Sequence, residues 1–124
     1  MKILIVDDDD ALRSFLTKEL EEHGYETLQS FRGDEAFYIW QHEGPFAFVL
    51  SDYRFIPGTT IKDGVELLTA MHEINPRQRM VMMTAEPKEA RKKLPKALWL
   101  LPVLRKPFKV EQVLRLLRKP VLTL

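Results

Sequence analysis

Apolar residues along this chain follow two alternating patterns, short unbroken runs and longer stretches at helical spacing. Lys2 to Val6 is a continuous β-branched and leucine run, as expected of a strand covered on both faces. From Ala11 to His23 the set Leu12, Phe15, Leu16 and Leu20 recurs at helical intervals, with Asp9 or Asp10 able to cap its start and Gly24 to end it. Tyr25 to Leu28 reads as a weaker strand. Asp34 to His42 reads as a helix that stops before Gly44-Pro45, and Phe46 to Ser51 as the third strand. Gly64 to Ile74 carries a helical stripe through Val65, Leu67, Leu68 and Met71 and ends at Asn75-Pro76. Arg79 to Met83 predicts a fourth strand, Lys88 to Leu98 a helix interrupted by Pro95, Val103 to Arg105 a short fifth strand, and Val110 to Arg118 a last helix. Parallel neighbours need right-handed crossovers, so β/α pairs with short connections predict an α/β fold. Its form is a doubly wound five-stranded parallel sheet with five helices.

Four of the apolar runs end in residues that handle phosphate or a divalent cation. Asp7 and Asp8 follow Val6, Asp52 follows Leu50-Ser51, Thr84 follows Met83, and Lys106 follows Val103-Leu104-Arg105. The carboxyl ends of the strands of an open parallel sheet lie along one edge, where ligand crevices form. Three carboxylates brought together there repel one another and raise each other's pKa unless a cation compensates. Hard oxygen ligands of this kind suit Mg²⁺, and a carboxylate at a central strand end can act as a nucleophile toward phosphorus. Each residue alone has a plainer reading: a cap for Asp52, an ordinary turn residue for Thr84, a solvated side chain for Lys106. Their convergence favours metal-assisted phosphoryl transfer to Asp52, with the ammonium neutralising charge on the transferring group.

The chain has 124 residues, the size of one domain spanning 1–124. Its 19 basic and 18 acidic residues leave a net charge of +1, so no global field argues for nucleic acid. The Lys88 to Lys96 and Arg105 to Lys119 stretches are nevertheless locally basic, and acids gather at Asp7 to Asp10 and Glu19 to Glu22. The absence of cysteine rules out disulfides and thiolate metal sites and fits a reducing compartment. No apolar run approaches the roughly 20 residues of a membrane span, and no signal peptide precedes the first strand, so a cytoplasmic location is expected. His23, His42 and His72 fall at helix ends or surfaces, where solvated side chains are the expectation.

In order along the chain, Ile3-Leu4-Ile5-Val6-Asp7-Asp8-Asp9, Asp52 followed by Pro57-Gly58, Asp63-Gly64-Val65-Glu66-Leu67-Leu68, Met83-Thr84-Ala85 and Leu104-Arg105-Lys106-Pro107-Phe108 resemble the motifs of two-component response-regulator receiver domains. The likeness covers nearly the whole sequence. It implies a flavodoxin-like receiver fold, Mg²⁺ held by Asp7, Asp8, Asp52 and the backbone carbonyl of Arg54, and phosphorylation of Asp52. It further implies a switch hydroxyl at Thr84 and a lysine, Lys106, that pairs with the acceptor and then with its phosphoryl group. The implied partners are a histidine kinase or histidine phosphotransfer protein and a downstream protein target, with neither nucleic acid nor membrane bound directly. Because the chain ends after the fifth helix, output through a partner surface is expected unless the chain is a fragment.

The sequence departs from the family pattern in three places. The loop after Asp52 is longer, running from Arg54 to Lys62; Val103 stands where an aromatic is common; and Pro95 and Pro102 flank the segment before the fifth strand. Two other readings remain open at this level. One is a phosphorylation-independent interaction module. The other is an Mg²⁺-dependent aspartyl phosphatase, suggested by Asp7-x-Asp9 but without a later acid pair.

Overall fold

The computed structural model describes residues 1–55 and 60–119. Pro57 and Gly58 lie outside them. Five strands alternate with five helices: β1 (Lys2–Val6), α1 (Asp10–Glu22), β2 (Glu26–Ser30), α2 (Gly33–His42), β3 (Phe48–Asp52), α3 (Gly64–Ile74), β4 (Met80–Thr84), α4 (Pro87–Lys93), β5 (Val103–Arg105) and α5 (Val110–Arg118). A short 3-10 turn, Lys96–Leu98, separates α4 from β5. All strand pairs are parallel, in the order β2-β1-β3-β4-β5. The expected doubly wound sheet is therefore present, with β3 at its centre.

Alternation along each strand divides the apolar core between the two faces. Ile3, Ile5, Leu50, Val81 and Met83 pack against Leu16 and Leu20 of α1 and Val113, Leu114 and Leu117 of α5. Leu4, Val6, Val49 and Met82 face the opposite way, toward Ala36 of α2, Leu67, Leu68 and Met71 of α3, and Ala90 of α4. Val103, at the position where the family commonly has an aromatic, packs half-buried against this second cluster.

Local chemistry explains most element ends. The Asp9 carboxylate accepts the Leu12 N–H at 3.1 Å and caps α1, whose far end turns at Gly24, where φ is +89°. Asp63 caps α3 in the same way through Glu66 N–H. The helix expected over Lys88 to Leu98 is instead two pieces. Leu94, the residue before Pro95, is pushed into extended backbone (φ −69°, ψ 133°), which ends α4 at Lys93. Strands β3 and β4 begin later than their apolar runs suggest and extend one residue further, so Asp52 and Thr84 are the last residues of their strands. Strand β2 likewise begins at Glu26 rather than Tyr25 and extends to Ser30.

Candidate functional site

Parallel pairing in register places the ends of β1, β3, β4 and β5 side by side. Val6 pairs with Ser51, Asp52 with Met83, and Thr84 with Arg105. The residues at or just beyond these ends therefore share one crevice. Asp7 is fully buried, Asp52 is 8% exposed and Thr84 4% exposed, while Asp8 opens to solvent. Lys106 joins the group from the β5–α5 loop, directly after Arg105 at the end of β5, and its bond to Pro107 is cis. Its Nζ donates to Asp7 Oδ2 at 2.7 Å and lies 3.2 Å from Asp52 Oδ1.

A buried carboxylate such as Asp7 is tolerated only with compensating partners. Besides Lys106, it receives the Asp9 N–H on Oδ1 at 2.9 Å, and its carbonyl accepts from Arg13 Nη1 at 2.7 Å. Arg13 gave no sequence signal because it sits on the polar side of α1, where arginine is commonplace. Its second anchor is Asp10, at 2.7 Å.

The Asp52 backbone is shaped by Gly64. A Cβ at that position would come within 2.2 Å of the Asp52 carbonyl oxygen, so only glycine allows α3 to start so close to the end of β3. The Gly64 N–H donates to the Tyr53 carbonyl at 2.7 Å, and Tyr53 N–H donates to Met83 at 2.9 Å. Arg54 forms an antiparallel bridge with Asp63, closing the base of the loop that follows Asp52. Phe55, buried, and Ile61, whose N–H donates to Asp34 Oδ1 at 3.0 Å, hold the described ends of that loop against α2.

Charge crowding is visible in the acidities. Burial first, and then the neighbouring Asp7 charge, push the Asp52 carboxyl from the ordinary 3.8 up to about 6, against the opposing pull of Lys106. Asp8 is raised for the same two reasons. Burial alone would lower the Lys106 ammonium, but its hydrogen bond to Asp7 and the charges of Asp52 and Asp7 outweigh this and raise it.

Asp7, Asp8 and Asp52 each offer an oxygen, and these oxygens lie within 4.8 Å of one another. The donors are all hard oxygens, crowded and only partly neutralised, and exposed Asp8 leaves room for water. That donor set fits Mg²⁺, which keeps several waters and prefers carboxylates. Thr84, at the end of β4, accepts the Glu86 N–H on its Oγ1 at 2.9 Å. Thus Asp7, Asp8 and Asp52 lie together with Lys106 paired to Asp7 and Asp52, and Thr84 sits at the same sheet edge, where its carbonyl accepts the Lys106 N–H at 2.8 Å. Arg54 stands at the rim, with its guanidinium turned toward α4: Nη2 lies 2.7 and 2.9 Å from the two carboxylate oxygens of Glu89.

The family model of the response regulator receiver domain matches residues 3–118. The chain belongs to this family. Sporulation initiation phosphotransferase F of Bacillus subtilis is 40% identical over 84 residues, covering 68% of this chain and 64% of the relative. CpdR, a response regulator receiver protein of Brucella abortus, is 35% identical over 83 residues, covering 67% and 65%. Both matches thus span slightly less than two thirds of the curated relatives' lengths. Among solved structures, the receiver resembles the Vibrio cholerae chemotaxis protein CheY4 with a TM-score of 0.75 at 27% identity, over 94% of this chain and 95% of that one. It resembles the Thermotoga maritima response regulator TrrA, solved with Mg²⁺ and BeF, equally well: TM-score 0.75, 27% identity, 93% and 97% coverage. The receiver is a signalling domain of two-component systems, and none of the helices among its described residues is long and apolar enough to cross a membrane.

Proposed function

We propose that this receiver, read as one domain over residues 1–124, accepts a phosphoryl group on Asp52 from a histidine kinase or a histidine phosphotransfer protein and thereby switches a surface read by a downstream protein in the cytoplasm. The observation that carries this reading is Lys106 bridging Asp7 and Asp52 beside the three-carboxylate cluster. An ion pair serving stability alone has no use for two further acids that repel each other.

In the proposed reaction an Asp52 oxygen attacks phosphorus in line, the P–N bond to the donor imidazole breaks, and the imidazole leaves with the bonding pair. Mg²⁺, held by Asp7, Asp8, Asp52 and the Arg54 carbonyl, would neutralise phosphoryl charge when bound. Asp7 holds Lys106 at the crevice, and the ammonium passes from Asp52 to a phosphoryl oxygen. The Thr84 hydroxyl, at the end of β4, donates to another.

Incubation with acetyl phosphate and Mg²⁺ tests the reading. Stable addition of one phosphoryl group, lost in Asp52→Asn, is the expected result. Turnover of many phosphodonors would favour a phosphatase, and no reaction a phosphorylation-independent module.

A further inference from the structure

The rim of the site carries an ion cluster that phosphoryl transfer leaves unused. Arg54 pairs with Glu89 at 2.7 Å and lies 3.7 Å from Glu86, while its guanidinium rests 5.1 Å from the centre of the Tyr53 ring. Glu89 has a second cation, Lys93, at 3.9 Å. Glu86 N–H is held by the Thr84 hydroxyl. The cluster therefore touches both ends of the crevice, Arg54 from two residues beyond Asp52 and Glu86 from two residues beyond Thr84.

Resting on the function proposed above, the geometry points to Arg54 as a positioning residue with two alternative partners. While Asp52 is a free carboxylate, Arg54 holds Glu89 and Glu86 and so ties α4 to the end of β3. When Asp52 carries a phosphoryl group, the guanidinium turns to its oxygens and releases α4.

Three features support the exchange. A phosphoryl group adds negative charge and acceptors whose geometry suits a guanidinium fork. The present contacts are cheap to give up, because Arg54 is 61% exposed, Glu86 57% and Glu89 35%, and ion pairs this open to solvent contribute little. Departure of Arg54 also has a structural result. Glu86 and Glu89 share one guanidinium, at 3.7 and 2.7 Å, so without it their like charges repel, and only Glu89 retains Lys93. The movement would begin at Glu86, where the Thr84 hydroxyl is recruited at the same moment.

The two sides of one ion pair should then respond oppositely. Binding of beryllofluoride with Mg²⁺ to the full chain is the measurement, with Asp52→Asn as the blank. Glu89→Gln removes a partner used only in the free state, so it should tighten binding about two- to fivefold, and Arg54→Ala should weaken it by a similar factor. Arg54→Lys, which keeps charge without the fork, should fall between Arg54→Ala and wild type. Amide exchange supplies a readout independent of binding: residues 87–93 of ligand-free Glu89→Gln should already be less protected than in wild type. Shifts of the same sign in Glu89→Gln and Arg54→Ala, or none in either, would show a plain surface ion pair and overturn the proposal. Failure of wild type to bind above the Asp52→Asn blank would overturn the phosphoacceptor reading itself, and this inference with it.

Discussion

Asp52 and Lys106 hold opposite positions in the energetics of one crevice, although they touch. The Asp52 carboxyl binds its proton more tightly folded, at about 6, than the ordinary 3.8. Between those values the native state holds more protons than the unfolded one, so this group's contribution to stability falls as pH rises, and above about 6 the full penalty applies. Asp52→Asn should therefore stabilise the metal-free protein at pH 7 to 8 by roughly 1 to 3 kcal/mol, an advantage that shrinks as acid approaches the ordinary carboxylate value. Urea unfolding at several pH values checks this; a constant difference across pH would contradict it. Lys106→Met should do the reverse. It strips buried Asp7 of its cation at 2.7 Å and should cost about 3 kcal/mol at neutral pH. Both residues are legible in the sequence because each follows an apolar run. The bond from Arg13 to the Asp7 carbonyl and the Arg54–Glu89 pair are not, since they are fixed by how helices lie on the sheet and no local spacing announces them.

At the scale of elements, the start of α3 is the tightest joint near the site. Gly64→Ala would place a methyl 2.2 Å from the Asp52 carbonyl oxygen, where only backbone could give way. We expect a loss of about 2 kcal/mol or more, read as a lower denaturation midpoint, together with weaker metal binding because the Asp52 backbone must shift. A neutral substitution would mean that the helix start can withdraw without disturbing β3. The sequence places α3, β1, β5 and α5 at their observed bounds, since each is a clean periodic or continuous run closed by Asp, Gly or Pro. It was less informative where one residue controls two neighbours. Pro95 marks the interruption in the expected helix, yet only the backbone of Leu94 shows that the chain leaves α-helical geometry before the proline and re-enters as a 3-10 turn. At β2 the run beginning with Tyr25 is mixed, and pairing with β1 from Lys2–Glu26 to Val6–Ser30 sets the bounds instead.

Across the whole molecule, ligand linkage offers a direct test of the metal expectation. With a dissociation constant on the order of a millimolar, 10 mM Mg²⁺ should stabilise the fold by roughly 1.4 kcal/mol and raise its melting temperature. The shift should vanish in Asp7→Asn/Asp8→Asn; an equal rise in both proteins would mark a general salt effect. Charge is also unevenly spread. Residues 1–85 hold 8 basic and 15 acidic side chains and residues 86–124 hold 11 and 3, so the near-neutral total conceals a basic portion formed by α4, β5 and α5 at one edge of the sheet. The bond from Lys106 to Asp7 joins groups 99 residues apart, the first strand's end to the last strand's. During synthesis the acids emerge early and their cation late. A growing chain thus carries Asp7, Asp8 and Asp52 long before it can neutralise them, and the charges of the crevice balance only once β5 closes the sheet and brings Lys106 to Asp7 and Asp52.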